Sequence, residues 1–414
     1  MNAGFSSRNI TPDYQTGMAG FDRRTNPSSG TLDPLEVSVL ILQDDSGFPF
    51  VFCVFDLLGV DSILCTRVQE AIGNRLRIAA AQIWVSATHS HSAPNIHFSG
   101  RKTYQESYVD FLLQKALEAA EEAYRSLEPV TAEIAVTAVT GVASLRNRGR
   151  SGAQFSMPLL VTCLKGQRKT CWLTEISCHP TVLDEKNTLF SRDLPGQLRD
   201  CLDSPCGLVL NGACADLSTR FTRTASDAAE LKRLGTILGK AVTDAPRVCE
   251  TAFGRRITAA EKTITLSRTA SISGAERDSL LEQLKQRAAS CTDVQALREY
   301  DSRISVLERA AVAAEAERKI RIGAVDLGNY VLLALPFEVG YADGQSLEKT
   351  TREVAGKPVY LVCYTGGYDG YLPSGAPLTA DSSYEDFASR YLPESRAQVW
   401  ECAKNCVKEA ENHV

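Results

Sequence analysis

No stretch of the 414 residues approaches the ~18–20 consecutive apolar positions a membrane-spanning helix needs, which argues against an integral membrane segment. The opening run Met1-Asn2-Ala3-Gly4-Phe5-Ser6-Ser7-Arg8-Asn9 lacks the apolar centre of a secretory signal, so a cytoplasmic location is expected. Cysteine is plentiful at 13, but the count is odd and no Cys-x-x-Cys occurs. Thiols inside apolar runs, such as Cys53 in Val51-Phe52-Cys53-Val54-Phe55, read as buried and reduced rather than as a disulfide framework. A basic excess is also missing: 45 Lys and Arg face 50 Asp and Glu, which argues against nucleic acid as the main partner. Histidine is scarce, with five in the whole chain.

What is present is an ordinary globular mixture, 44% hydrophobic and 23% charged. Strand-like and helix-like patterns alternate. Glu36–Gln43 and Phe50–Leu57 read as strands, the second apolar enough to be buried on both faces. Asp61–Arg77 and Tyr104–Leu127 read as helices, with a strand at Gln82–Ser86 between them. Strands follow at Thr131–Val139, Met157–Leu164, Thr170–Ile176 and Gly207–Leu210, then a helix at Ala225–Val242. Strands Ile320–Val325, Tyr330–Leu335 and Val359–Tyr364 and helices Ala342–Glu353 and Glu394–Asn412 complete the chain. The expected fold class is α/β, a mixed β-sheet core covered by helices, with residues 1–414 as one domain. Between them, at 274–317, Leu280, Leu284, Val294, Leu297, Ile304, Leu307 and Ala311 recur at three- and four-residue intervals. An inserted helical hairpin is expected there, its second helix restarted by a Thr292-x-x-Gln295 capping box.

Three of the five histidines fall within nine residues, in Thr88-His89-Ser90-His91-Ser92-Ala93-Pro94-Asn95-Ile96-His97, directly after a strand. In an extended chain His89 and His91 share a face, and neutral imidazoles suit zinc. On spacing alone this is a metal site or a polar loop with hydrogen-bonded histidines, and His97 reads as a supporting residue. His179, in Ser177-Cys178-His179-Pro180-Thr181, also follows a strand and is the natural third nitrogen. Glu338 leaves the strand at Tyr330–Leu335; read alone it is a glutamate favoured at a helix start. Ala213-Cys214-Ala215-Asp216-Leu217-Ser218-Thr219-Arg220 offers a carboxylate, a hydroxyl and a cation at Asp216, Ser218 and Arg220, or else a capped polar turn. Tyr368 and Tyr371 stand in a glycine-rich exit, Gly366-Gly367-Tyr368-Asp369-Gly370-Tyr371.

Five strand-exit segments, in order, resemble the catalytic domain of the neutral, non-lysosomal ceramidase family. They are Ser86-Ala87-Thr88-His89-Ser90-His91-Ser92-Ala93-Pro94, Cys178-His179-Pro180-Thr181, Ala215-Asp216-Leu217-Ser218, Pro336-Phe337-Glu338 and Gly370-Tyr371-Leu372-Pro373. Ile10-Thr11-Pro12, Gly17-Met18-Ala19-Gly20 and Arg146-Asn147-Arg148 are similar to that family as well. The resemblance implies a zinc ion (Zn2+) held by His89, His179, Glu338 and Tyr371, which replaces the helix-start reading of Glu338. It places His91 beside the metal to move a proton or bind an oxyanion, and gives Arg148 the task of polarising the scissile carbonyl. Ser218, with Asp216 in the same segment, becomes a nucleophile or a substrate-binding group. Ala215 stands where the family has glycine, and Thr219 where it has proline. The implied activity is zinc-dependent hydrolysis of an amide bond in a small-molecule or lipid-like N-acyl substrate. An esterase or deacylase acting on a small polar compound, and a non-catalytic ligand-binding member, stay open beside it. The sequence carries no signal of oligomeric state.

Overall fold

The computed structural model describes every residue except 22, 97–105, 269–273, 310–316 and 413–414, and the side chains at 148–150, 295, 309 and 412 also lie outside the description. The larger sheet is built from β1 (Asn2–Asn9), β2 (Glu36–Gln43), β3 (Pro49–Phe55), β4 (Ile83–Ala87), β5 (Glu128–Thr140), β6 (Ser156–Gly166), β7 (Thr170–Ile176) and β8 (Cys206–Asn211). Their spatial order is β8-β7-β6-β5-β1-β2-β3-β4, and the short strand Val248–Cys249 pairs with β5. Only the outer pairs β3/β4 and β7/β8 of that order run parallel. A second sheet holds β9 (Thr258–Ser267), β10 (Glu317–Asp326), β11 (Val331–Ala334) and β12 (Val359–Val362) in sequence order, with β11 and β12 parallel.

The parallel pairs need crossovers, and helices supply them. α1 (Ser62–Leu76) links β3 to β4, with Asp61 accepting the Leu64 N–H at 2.7 Å as its cap. α3 (Asp193–Asp200), reached after α2 (Glu106–Arg125), lies between β7 and β8. α4 (Ala228–Thr243) follows β8 and packs on α3. Strand β3 shows why its sequence is apolar throughout. Val51, Cys53 and Phe55 face the cluster under α1 and α2, while Phe50 and Phe52 join Trp84, Leu164, Leu208 and Tyr330 in a second cluster shared with the smaller sheet. A third cluster, with Trp172, Leu194 and Leu234, lies under α3 and α4. Thus both faces of the α/β sheet are covered, as the apolar runs require.

Helices α5 (Gly274–Ser290) and α6 (Val294–Arg309) occupy the stretch where paired helices were expected, and Leu280, Leu284 and Leu307 pack there with Ala380 and Phe387, the latter on α8 (Tyr384–Ala388). Asp293 caps α6 by accepting the Ala296 N–H at 2.8 Å, one residue later than the Thr292 cap expected from the sequence. Ala311 lies outside the described residues. α7 (Tyr341–Ala355) connects β11 to β12, and α9 (Ser395–Asn412) packs on β9 and β10. Of the strands longer than two residues, two were not foreseen. β1 is small and polar, yet it lies mid-sheet and pairs along its whole length with β2, from Asn2↔Gln43 to Asn9↔Glu36. β9 is likewise mixed in polarity, and ten-residue pairing with β10 carries it. All thirteen cysteines are free thiols. Among the described residues no helix is long and apolar enough to cross a membrane.

The two edges of the larger sheet meet at one place. Beyond β12 the Cys363 N–H donates to Asn211 O at 2.8 Å, Tyr364 O accepts the Ala87 N–H at 3.1 Å, and the Gly366 N–H donates to Val85 O at 2.9 Å. One short segment therefore bonds to the carboxyl ends of both β8 and β4. At the opposite side of the core, β1 touches α2 so closely that a Cβ on Gly4 would lie 2.0 Å from the Ala123 carbonyl oxygen. Gly4→Ala is expected to push α2 off the sheet and cost about 1–3 kcal/mol, as overpacking does. Urea unfolding of the variant beside the parent checks this; an unchanged midpoint would mean that the helix shifts freely.

Candidate metal centre at the strand exits

Five segments leave the carboxyl ends of β4, β7, β8, β11 and β12 and converge, the usual position for ligands in open α/β sheets. After β4, Thr88 donates to buried Asp56 at 3.2 Å and the backbone turns at His89 through φ +68°, a region few side chains adopt. Two contacts hold this strained residue. Its Nδ1 sits 2.7 Å from Leu58 O, and its ring stacks on Tyr364 with centroids 4.2 Å apart. After β7, the His179 N–H donates to Leu217 O at 3.0 Å, and its Nδ1 lies 2.6 Å from Cys214 O. Asn211, the last residue of β8, joins the two exits. Its Oδ1 accepts the Cys178 N–H at 3.2 Å, while Nδ2 donates to Cys178 O at 3.2 Å and Thr88 O at 3.4 Å. The rings of His89 and His179 end 4.7 Å apart.

Glu338 enters from β11. Its N–H donates to Gly370 O at 2.9 Å and its carbonyl accepts the Leu372 N–H at 3.0 Å, so it pairs directly with Tyr371. Carboxylate Oε1 accepts the Tyr368 hydroxyl at 2.5 Å. Oε2 lies 3.1 Å from His179 Nε2 and 3.5 Å from His89 Nε2. His91 Nε2 stands 3.3 Å from His89 Nε2. All three imidazoles place a ring nitrogen within 4.8 Å of the others.

The protons decide what this arrangement means. An Nδ1 beside a carbonyl oxygen must carry the hydrogen, so Nε2 of His89 and of His179 presents a lone pair. Glu338 Oε2 is buried and has no hydrogen-bond donor. Three electron-rich atoms thus face one another at 1–2% exposure, an arrangement that a cation resolves and that neutral side chains do not. The donor set, two imidazoles with fixed tautomers and a carboxylate, fits zinc. Burial and then Arg146 lower the pKa of His179 to about 4, and burial followed by His89 and His179 pushes that of His91 well below the ordinary value. His91 and His179 are therefore neutral, the form in which an imidazole binds metal.

The opening segment closes over His91. Arg24 donates to His91 O at 2.8 Å and Phe21 packs edge-on at 4.9 Å. Gly20 has φ +97°, and a Cβ there would sit 2.5 Å from the His91 ring, so no other residue fits. Tyr371 is beside Glu338 in the backbone, and its ring meets Tyr384 at 5.8 Å; burial and then the charge of Glu338 raise its phenol well above the usual range. Ser218 forms a backbone bridge with His179, and its Oγ accepts the Arg220 N–H at 3.3 Å. Asp216 is engaged elsewhere: Oδ1 accepts the Tyr341 N–H at 2.7 Å at the start of α7, and its carbonyl accepts the Arg146 N–H at 2.8 Å. Arg148 lies on a 3₁₀ turn, Arg146–Gln154, with its side chain outside the described residues; His97 is outside them altogether.

Sequence reasoning passed over four neighbours of the site. Arg146 donates to Glu385 at 2.9 Å, has a buried Nε without a partner, and lies within electrostatic reach of Tyr371 and Glu338. It stands two residues before Arg148 in the same Arg-Asn-Arg run. Tyr368 was seen only as part of a tyrosine pair, and Tyr364 and Asn211 only as strand ends; none has a spacing that marks its role.

No family model and no curated protein sequence matches the chain. Among solved structures it is similar to neutral ceramidase from Pseudomonas aeruginosa, with a TM-score of 0.78 and 14% identity, over 100% of this chain and 75% of that one. It is also similar to a ceramidase complexed with C2, with a TM-score of 0.76 and 12% identity, over 98% of this chain and 74% of that one. The chain has the neutral ceramidase fold.

Asn211→Ala removes every side-chain bond joining the exits of β4 and β7 at this point. Metal affinity is expected to fall about 10–100-fold, as it does when supporting hydrogen bonds around ligands are lost. Competition against a chromophoric chelator measures it, and unchanged affinity would show that Cys363–Gly366 alone sets the spacing.

Proposed function

We propose that this chain is a zinc-dependent hydrolase that cleaves the amide bond of an N-acyl compound. The observation that carries the proposal is the meeting of two bare Nε2 atoms with the unpartnered Glu338 Oε2, 3.1 and 3.5 Å away, on a neutral ceramidase fold. His89, His179 and Glu338 hold the ion, with Tyr371 as the fourth ligand. Zinc supplies Lewis-acid polarisation of the acyl carbonyl and acidification of water when bound.

The chain's own groups do the rest. Arg146, whose Nε is buried and unpartnered, donates to the carbonyl oxygen as negative charge develops there, with Arg148 two residues further along the same turn. His91 is neutral and faces His89, so it accepts a proton from attacking water and returns it to the nitrogen of the leaving amine as the C–N bond breaks. Ser218 is the second candidate nucleophile; its backbone pairs with His179, and its Oγ accepts the Arg220 N–H. Asp216 serves by anchoring α7 and the Arg146 backbone. The substrate is small-molecule or lipid-like. An esterase preference or a purely ligand-binding role would emerge from the same assay as ester turnover or as no turnover.

His91→Ala is expected to keep most of its zinc and lose about 10²–10⁴-fold in turnover, the span of a general acid–base residue. His89→Ala should lose both. Elemental analysis beside rates on a panel of N-acyl amides and esters decides it. Zinc-free His91→Ala with zinc-loaded His89→Ala would exchange the two roles; zinc-free parent protein would overturn the proposal.

A further inference from the structure

The chain between β7 and α3 crosses from one histidine to another. His91 sits between Ser90 and Ser92, and three bonds from residues 187–191 hold those two neighbours. Ser90 Oγ donates to Ser191 O at 2.7 Å, the Ser191 N–H donates to Ser92 O at 2.9 Å, and Asn187 Nδ2 donates to Ser92 Oγ at 3.0 Å. Two residues on, Asp193 reaches the other way. Its Oδ1 accepts the Val182 N–H at 3.2 Å and its Oδ2 the Leu183 N–H at 3.1 Å, in the chain that has just left His179. The Asp193 N–H donates in turn to Ser191 Oγ at 3.0 Å, which closes the link. Ser90, Ser92, Ser191 and Asp193 are all 0% exposed, so a bond lost here leaves a buried polar group unpaired.

Asp193 holds this place against its own backbone preference. Its φ is +50°, in the left-handed region where glycine is unstrained and other residues are not. A helix start does not account for it. A capping carboxylate accepts from the N–H two or three residues further on, whereas Asp193 accepts from its immediate neighbour Leu194 at 2.7 Å and otherwise from Val182 and Leu183. Half-buried Arg24 crosses the same gap further out, from His91 O at 2.8 Å to Asp184 O at 3.2 Å, and leaves the Val182 and Leu183 N–H groups to Asp193. His89 and His179 are joined separately, by Asn211 and by Cys363–Gly366.

Resting on the amide-hydrolase reading above, we propose that Asp193 is a positioning residue for that reaction. Through Ser191 it fixes the Ser90–Ser92 segment against the chain leaving His179, and so sets where His91 stands. The rings of His91 and His179 lie 5.6 Å apart across this brace, while metal retention rests on the other bonds.

Histidines labelled with ¹³C at Cε1 give five ring signals, each assigned by its loss in the matching alanine variant. In zinc-loaded Asp193→Gly, whose backbone is unstrained at this φ, the His91 signal should shift or broaden while those of His89 and His179 hold. Zinc content should match the parent. On the best substrate of the amide panel kcat should fall about 10–100-fold with KM within about threefold, the pattern of a misplaced reacting group. Asp193→Asn tolerates the left-handed backbone and keeps one acceptor oxygen, so it should recover part of the loss. Ser90→Ala cuts the other end of the brace, and combined with Asp193→Gly it should cost little more than either alone. Should Asp193→Gly fail to fold, Asp193→Asn and Ser90→Ala are read by the same measurements. An unmoved His91 signal, unchanged kcat in an active protein, additive loss in the double variant or loss of zinc on removing the carboxylate each overturns the proposal. A displaced His91 signal in a protein that turns over no amide would uphold the brace and overturn the hydrolase reading instead.

Discussion

Everything at the centre of this protein depends on two hydrogen bonds from imidazole Nδ1 to backbone carbonyls, at Leu58 and Cys214. They fix the tautomers of His89 and His179 and so expose their Nε2 lone pairs. Both carbonyls belong to chain that has just left a strand, Leu58 after β3 and Cys214 after β8. The rings are thus aimed by the sheet itself. A flexible loop could not hold His89 at φ +68°, where strain costs on the order of 1–3 kcal/mol unless the surroundings over-determine it. Stacking on Tyr364 and the Leu58 bond supply that over-determination.

The larger sheet would leave His89 and His179 far apart in its strand order, since β4 is an edge and β7 lies next to the other edge. Residues Cys363–Gly366 remove the separation by bonding to the ends of β4 and β8 together, and Asn211 adds three bonds across the same gap. The segment continues into Tyr368 and Tyr371, which meet Glu338. One stretch of chain therefore closes the sheet, stacks on His89 and orients the Glu338 carboxylate. This is why site residues drawn from five separate strand exits can share one small volume.

Apolar runs and histidine scarcity made most of this legible. Val51–Phe55 could only be a strand buried on both faces, and the helix expected from Asp61 to Arg77 matches α1 with its two flanking caps. Tertiary pairing hid the rest. β1 has almost no strand propensity of its own and forms because β2 and β5 flank it. Asp293 outcompeted Thr292 for the cap because a one-residue shift of the helix start leaves no mark in a sequence rich in both cap types. Nothing in the Arg146-Asn147-Arg148 run marks Arg146 as a neighbour of Glu338, because a 3₁₀ turn has no apolar stripe to read. His89 and His179 were visible as candidates, but the tautomers that aim their Nε2 atoms at Glu338 depend on carbonyls more than thirty residues away in sequence.

The two departures near Ser218 have a common physical explanation. Ala215 is buried, and its N–H donates to Val339 O at 2.9 Å, so its backbone lies against the exit of β11 with space for a methyl group. Thr219, where a proline was expected, adds a side-chain donor that proline lacks. Its Oγ1 donates to Thr181 O at 3.3 Å, and its carbonyl accepts the N–H groups of Thr222 and Arg223. A side-chain hydrogen bond replaces the stiffness of a proline ring and ties the Ser218 segment directly to the chain leaving His179. The same turn then leads into Arg223, which donates to Thr181 O and, at 3.1 Å, to Val182 O. One local hydrogen-bond set therefore holds the Ser218 hydroxyl against the Arg220 N–H and ties this turn to the chain leaving His179.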